Sequence, residues 1–315
     1  MNSVSNFPKR RLQKLFTGRL DFEDQKRFIA ELTQHVRSEQ VLYQLAQSVR
    51  QYENRVTGLP ENCIDIVGTG GDGANTLNFS TLAALLVAAT GQPVAKHGNR
   101  ASTSQCGSFD LIQQFGIEMP QTPKQAQEIM AARGMVFLFA PYFHPAFKHV
   151  VAVRKWFAEQ KQKTIFNVLG PLLNPAHVSY MLVGVYDPKL LLPYAKALKM
   201  LGVHYAYVVH GNGLDEASLT GPTQYVRLCQ GQCQQGMWQP DDFGLPQCTL
   251  AEIQGGTAEQ NLAESRAILS GQLHGPKRDM VVLNAALALH VAGQFSGGID
   301  QKIAQIVDVI GSKKL

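Results

Sequence analysis

Apolar positions divide the chain into two regimes. Between residues 9 and 53 they recur at helical spacing: Leu12, Leu15 and Phe16, then Phe28, Ile29 and Leu32, then Val41, Leu42, Leu45 and Val49. Gly18 is placed to stop the first of these helices and Asp21 to cap the second. No strand pattern precedes Ile64. Beyond Cys63, short apolar runs bounded by Gly or Pro, at 64–67, 93–95, 136–139, 181–185 and 205–209, read as buried parallel strands. Helical stretches separate them. One opens at Thr122-Pro123 and closes at Gly134, and another runs over 188–201 and closes at Gly202.

This alternation predicts an α/β fold with a mainly parallel central sheet. Residues 225–238, with Gly231 central, predict an appended hairpin, and helices are expected near 257–270, 277–292 and 299–310. Residues 144–163 interrupt the alternation. The run starts at His144-Pro145, is apolar at Phe147, Val150, Val151 and Val153, and turns polar and charged by 159–163. It is expected to leave the α/β body and pack with the N-terminal helices. The expected organisation is a small all-helical unit, 1–58 plus roughly 144–163, and a large α/β unit, 59–143 and 164–315. The cleft between them is the expected binding site.

Composition narrows the class. A chain of 315 residues can bury a sizeable core, and no apolar run approaches the roughly 20 residues that span a bilayer. The basic start, residues 1–11, lacks the apolar core of a secretory signal. Five scattered cysteines, an odd number, argue against a disulfide framework and for a reducing cytoplasm. Cys229 and Cys233 read as ordinary hairpin residues, with no zinc-type partners. A net charge of +5 suits anionic metabolites. Lys9-Arg10-Arg11 reads as a solvated helix start, and nucleic-acid binding is not expected.

Three stretches carry chemistry. Asp65 to Thr81 reads D-I-V-G-T-G-G-D-G-A-N-T-L-N-F-S-T: a strand, a turn with Gly68, Gly70, Gly71 and Gly73, then a helix opened by Asn78, Ser80 and Thr81. Glycines allow close backbone approach, and a helix start offers free N–H groups, so the stretch suits phosphate. It is neither the dinucleotide G-x-G-x-x-G nor a P-loop. Asp72, an acid within the loop, points to a second partner besides phosphate. Lys96 to Ser104 follows the 93–95 strand and concentrates charge and hydroxyls, and Gly107-Ser108 opens a further helix, a second candidate anion site. After the 205–209 strand comes His210-Gly211-Asn212-Gly213-Leu214-Asp215-Glu216. Its paired carboxylates suit a hard cation such as Mg²⁺, or else an acidic helix start. His144 and His149 read as shaping a helix start and surface. Residues 167–175, N-V-L-G-P-L-L-N-P, read as a structured turn rather than a helix. No Ser-His-Asp, Cys-His or proton-transfer dyad stands out. That profile fits transfer of a group that already carries a good leaving group.

These strings, with F-x-x-x-F-H-P-A at 139–146, V-R at 153–154 and T-I-F-N-V-L-G-P-L-L-N-P at 164–175, resemble the anthranilate phosphoribosyltransferase family. The resemblance is strong over roughly 60–260 and weaker at the ends. It implies attack of anthranilate's amine on C1 of 5-phosphoribosyl diphosphate (PRPP), with pyrophosphate leaving on Mg²⁺, in tryptophan biosynthesis. It assigns PRPP to Gly68, Gly71, Asp72, Thr76, Asn78, Phe79, Ser80, Thr81, Lys96, His97, Gly98, Asn99, Arg100, Ala101, Ser102, Thr103, Ser104 and Ser108. Anthranilate falls to Gly68, Asn99 and Arg154, and the metal to Ser80, Asp215 and Glu216. Charge stabilisation falls to Asp215, Glu216 and Lys96, with no acid or base identified. The family fold, a small helical domain plus a large α/β domain of the nucleoside phosphorylase type, usually dimerises through the helical domains. The chain departs from the family pattern at 155–163, which is about three residues longer and lacks E-L-G-x-R, and at Gln105-Cys106. A same-fold paralogue with another acceptor, a nucleic-acid-binding relative and a nucleoside phosphorylase are the alternatives.

Overall fold

The computed structural model describes residues 7–99 and 107–312. Helices Lys9–Phe16, Phe22–Thr33 and Glu39–Arg50 come first. Asp21 and Ser38 cap the second and third by accepting from the amides of Asp24 and Val41. Gly18, at φ +72°, turns the chain out of the first.

Seven strands follow: β1 (Ile64–Gly68), β2 (Val94–Gly98), β3 (Met135–Phe139), β4 (Tyr180–Gly184), β5 (Tyr205–Gly211), β6 (Thr223–Cys229) and β7 (Gln232–Trp238). They form one sheet in the order β3-β2-β1-β4-β5-β6-β7. The first five in that order are parallel, and β6 and β7 add antiparallel at one edge. Gln230 and Gly231, both at positive φ, make the two-residue turn of this hairpin. The mainly parallel α/β class expected from the alternation is therefore observed. The chain steps outward from β1 to β2 and β3, then reverses to β4 and β5. The switch point lies between β1 and β4, where open α/β sheets bind ligands at the carboxyl ends of the strands.

Two apolar layers cover the sheet. On one face, helix Phe79–Ala89 packs against helix Pro276–Ala292. The latter is buried continuously from Asp279 to Val291, a mainly apolar stretch with no polar face. On the other face, a single apolar cluster runs from Leu12, Phe28 and Leu45 through Val153 and Phe157 to Val183, Tyr194 and Val208. The N-terminal helices thus share a core with the sheet.

Several boundaries differ from those the sequence suggests. Strand β2 continues to Gly98 instead of ending at Ala95, because β3 pairs with it down to Gly98–Phe139. Lys96 and His97 therefore sit on a strand, buried, and not in a loop. Residues 167–175 are not simply a turn. Helix Phe166–Leu169 runs into a 3-10 helix, Gly170–Leu173, with Pro171 in its first turn, where its missing N–H leaves no bond unmade. The expected helix over 188–201 opens as a 3-10 turn, Pro188–Leu190, before Leu191–Met200. Residues 144–163 form a 3-10 helix, Pro145–Val150, and helix Val151–Glu159. Phe147 meets Phe16 edge-on at 6.1 Å, Lys26 lies 4.6 Å over the Trp156 ring, and the Ile165 amide donates to Thr33 Oγ1 at 3.0 Å. His144 does precede a helix, but it is buried and not on the surface. Among the described residues Cys63, Cys229, Cys233 and Cys248 are free thiols, and no helix is long and apolar enough to cross a membrane.

Candidate active site

The site is built at the carboxyl ends of β1, β4 and β5. Beyond β1 the chain passes through Gly70, Gly71 and Gly73 at φ +69°, +84° and +77°. A Cβ at Gly70 or Gly73 would meet nothing within 4 Å, so backbone conformation, not crowding, requires glycine there. The far end of the loop is pinned where Thr76 bridges Gln254 and the Gly255 amide donates to the Asn75 carbonyl. Asp72 Oδ1 accepts from the Ala74 amide at 3.1 Å, tightening the turn. Helix Phe79–Ala89 follows, with Phe79, Ser80 and Thr81 buried in its first turn.

The acidic loop folds back over these strand ends. After β5, positive φ at Asn212 and Gly213 reverses the chain and buries Asp215. Three glycines make room for the segment 215–218. A Cβ at Gly184 would collide with the Asp215 carbonyl. One at Gly68 would strike the Asp215 carboxylate, and one at Gly211 would lie 2.7 Å from the Ser218 amide nitrogen. Gly68 and Gly184 are register partners on neighbouring strands, so the cradle is one feature of the sheet. Asp215 Oδ2 accepts from the Gly70 amide at 2.6 Å, and Glu216 Oε1 accepts from the Ser80 amide at 3.2 Å. A carboxylate of this chain thus occupies the helix start.

Lys96 lies beneath both acids, 1 % exposed. Its Nζ donates to the Ile66 carbonyl and, at 3.3 Å, to Ser80 Oγ. Burial lowers its pKa, while Asp65, Glu216 and Asp215 pull the other way. One ammonium does not balance the acids. Burial first, then repulsion from Asp72 and Glu216, holds Asp215 well above the usual carboxylate range. Burial, with Asp72 adding to it, raises Glu216 to about 7 despite Lys96. A buried acid cluster short of positive charge fits a hard cation with oxygen donors from Ser80, Asp215 and Glu216. Among the described residues no three His, Cys, Asp or Glu side chains make a closed metal cage. Mg²⁺ commonly keeps water and substrate phosphates in its shell, so a partial set of protein oxygens can hold it.

The Glu216 shift has a signature. The folded chain keeps this proton while the unfolded chain releases it near pH 4.5, so the group's contribution to stability is full below that value and is lost as pH rises through about 7. In metal-free buffer, the melting temperature of Glu216→Gln should fall less between pH 5 and 8 than that of the wild type. Parallel declines in both proteins would place the ionisation elsewhere.

A second layer was not foreseen from the sequence. Asp65, fully buried on β1, accepts from the His97 amide at 3.3 Å and from Asn174 Nδ2 at 2.8 Å. The same Asn174 nitrogen donates to the Ala95 carbonyl at 2.8 Å. Burial raises Asp65 to about 6, with Lys96 and Asn174 opposing. An acid inside an apolar strand was the available signal, because such a group needs partners. His97 and His144 stack edge-on at 5.2 Å and bond the carbonyls of Gly170 and Leu173. Burial lowers both imidazole pKa values, which favours the neutral rings. The ring nitrogen facing each carbonyl carries the proton. His97 Nε2 and His144 Nδ1 are then buried acceptors without a partner among the described residues.

The sequence candidates are thus partly assembled. Gly68, Asp72, Ser80, Lys96, Asp215 and Glu216 meet in one network. Thr81 is buried, with its hydroxyl unpartnered among the described residues. Gly98 ends β2, where a Cβ would press on Phe109 at 2.9 Å. Asn99 is exposed just beyond, and Ser108 opens the helix Ser108–Gln114. Arg154 lies beside the touching rings of Phe147 and Phe166, 5.5 and 5.6 Å from their centroids, and Phe147 in turn touches His144. Arg100, Ala101, Ser102, Thr103 and Ser104 lie outside the described residues. Sequence reading missed Asp65, Asn174 and the glycines 184 and 211 that cradle the acid loop.

A family model described as "Glycosyl transferase family, a/b domain" matches residues 60–313, which places the chain among glycosyltransferases of this α/β type. An anthranilate phosphoribosyltransferase of Shewanella sp. (strain MR-4) is 46% identical over 254 residues, 81% of this chain and 72% of that protein. The crystal structure of the enzyme from Thermus thermophilus superposes with TM-score 0.88 at 36% identity, covering 97% of this chain and 90% of that one. The Saccharomyces cerevisiae enzyme, solved in complex with PRPP and Mg, gives 0.84 at 29% identity, covering 97% and 87%. The chain belongs to the anthranilate phosphoribosyltransferase family, and is a pentosyl-transferring enzyme.

Proposed function

We propose that the protein transfers the phosphoribosyl group of PRPP to the amine of anthranilate, releasing pyrophosphate, in tryptophan biosynthesis. The observation that carries this reading is the meeting of the glycine loop, the helix start at Ser80 and the buried Asp215–Glu216 pair at the carboxyl ends of the central strands. The amine nitrogen bonds C1 as the C1–oxygen bond to pyrophosphate breaks, and the nitrogen gives up a proton. Backbone N–H groups of Gly71–Gly73 receive phosphoryl oxygens. Ser80, Asp215 and Glu216 would hold Mg²⁺, which supplies positive charge to the departing pyrophosphate. Lys96, fixed by Ile66 and Ser80, offsets the acids before substrate arrives, so charge is already arranged when the bond breaks.

Arg154 takes the anthranilate carboxylate in this reading. Its guanidinium is a planar fork resting against two aromatic rings and has no carboxylate partner among the described residues. The helical segments 1–58 and 144–163 act as a unit and form the dimer contact. Exposed Phe22 and Val151 on them support this, and sedimentation velocity tests it.

Mixing the protein with PRPP, Mg²⁺ and anthranilate should extinguish anthranilate fluorescence catalytically. In the same assay Arg154→Lys should raise the KM for anthranilate about tenfold or more, leaving that for PRPP near its original value. No turnover with PRPP binding intact would point to another amine acceptor.

A further inference from the structure

The stretch 155–163, where the sequence leaves the family pattern, ends on Lys163. That side chain reaches the glycine loop. A Cβ built on Gly71 would have one neighbour within 4 Å, the Lys163 Cε at 3.7 Å. The ammonium rests 3.9 Å from the centroid of the Tyr186 ring. Tyr186 is itself tied to the loop, since its amide donates to Thr69 Oγ1 at 3.2 Å while the Thr69 amide donates to the Gly184 carbonyl at 2.9 Å. Lys163 is exposed and pairs with no carboxylate among the described residues. It also borders an opening of about 280 Å³ with Thr33, Phe157 and Gln162.

From this arrangement we infer that Lys163 is a substrate-binding residue, an ammonium held at the mouth of the glycine loop to receive a phosphoryl oxygen of PRPP. The assignment rests on the phosphoribosyl-transfer reading above. An aromatic face positions a cation without neutralising it, so the ammonium stays available to an arriving phosphate. A carboxylate neighbour would have consumed that charge. Ser80, Asp215 and Glu216, proposed above to hold the metal, are other residues, so Lys163 would add a cation separate from that metal. Lys163 complements the loop amides, which supply direction but no net charge.

The test is calorimetric titration of PRPP with Mg²⁺ into wild type, Lys163→Ala and Lys163→Arg, with KM values for both substrates measured alongside. Expected are a Kd for PRPP about tenfold or more weaker in Lys163→Ala, recovery to within about threefold in Lys163→Arg, and an unchanged KM for anthranilate. Because the side chain is exposed, all three proteins should melt together. A Lys163→Ala protein that binds PRPP like the wild type, or one that loses anthranilate affinity instead, overturns the assignment. A wild type that binds no PRPP overturns the reading beneath it and this assignment with it.

Discussion

Asp215→Asn should lower Mg²⁺-dependent turnover on the order of 10²- to 10³-fold while leaving the fold as stable as before, or more so. Asparagine keeps the volume and an oxygen that can accept from the Gly70 amide, so the loop has no steric reason to move. What disappears is a group whose ionisation beside Asp72 and Glu216 is costly. Ionisation is unfavourable in the metal-free protein, where burial and two acidic neighbours hold the Asp215 carboxyl well above its ordinary pKa. At pH 8 without metal the variant should therefore melt at or above the wild-type temperature. In the presence of PRPP and anthranilate it should need far more Mg²⁺ for half-maximal rate. Fluorescence kinetics and a thermal melt read the two effects separately. An unchanged rate would remove Asp215 from the metal site, and a lower melting temperature would contradict the electrostatic account.

Gly184→Ala should damage folding and activity together. The new Cβ would overlap the Asp215 carbonyl and come 3.0 Å from the Glu216 amide nitrogen, and both are backbone atoms that cannot rotate aside. Relieving the overlap requires shifting the 212–216 loop by an ångström or more, which by itself can reduce rates about 10²-fold, and overpacking of this kind destabilises by about 1–3 kcal/mol. Gly170→Ala is the control. There φ is −47° and a Cβ meets nothing within 4 Å, so alanine should be neutral or slightly stabilising. Denaturant melts and kcat of the two variants compare the cases. A Gly184→Ala protein as stable and active as Gly170→Ala would show that the acidic loop has slack the structure does not display.

Periodicity made most of the architecture readable. Helical spacing at Leu12, Leu15 and Phe16 marks residues that are in fact buried, and short apolar runs mark all five parallel strands. The loops at 68–73 and 210–216 were readable as chemistry because glycines beside acids have no use in a core. What stayed hidden depends on the third dimension. Pairing with β3 extends β2 through Lys96 and His97, and no local pattern announces that two polar residues continue a strand. Asn174 looked like part of a turn because its partner, Asp65, lies 109 positions away. Gly184 resembled any strand terminator, since the loop it accommodates returns from the far side of β5.

The apolar cluster that joins the first three helices to the underside of the sheet ties together segments far apart in sequence. Leu12, Val153 and Val208 belong to one desolvated body. The family model's stretch begins at residue 60, after those helices. Cut there, the remaining chain would present a broad greasy surface to water. The opening fifty residues are therefore part of what keeps the catalytic portion in solution, and the two portions should denature as one event.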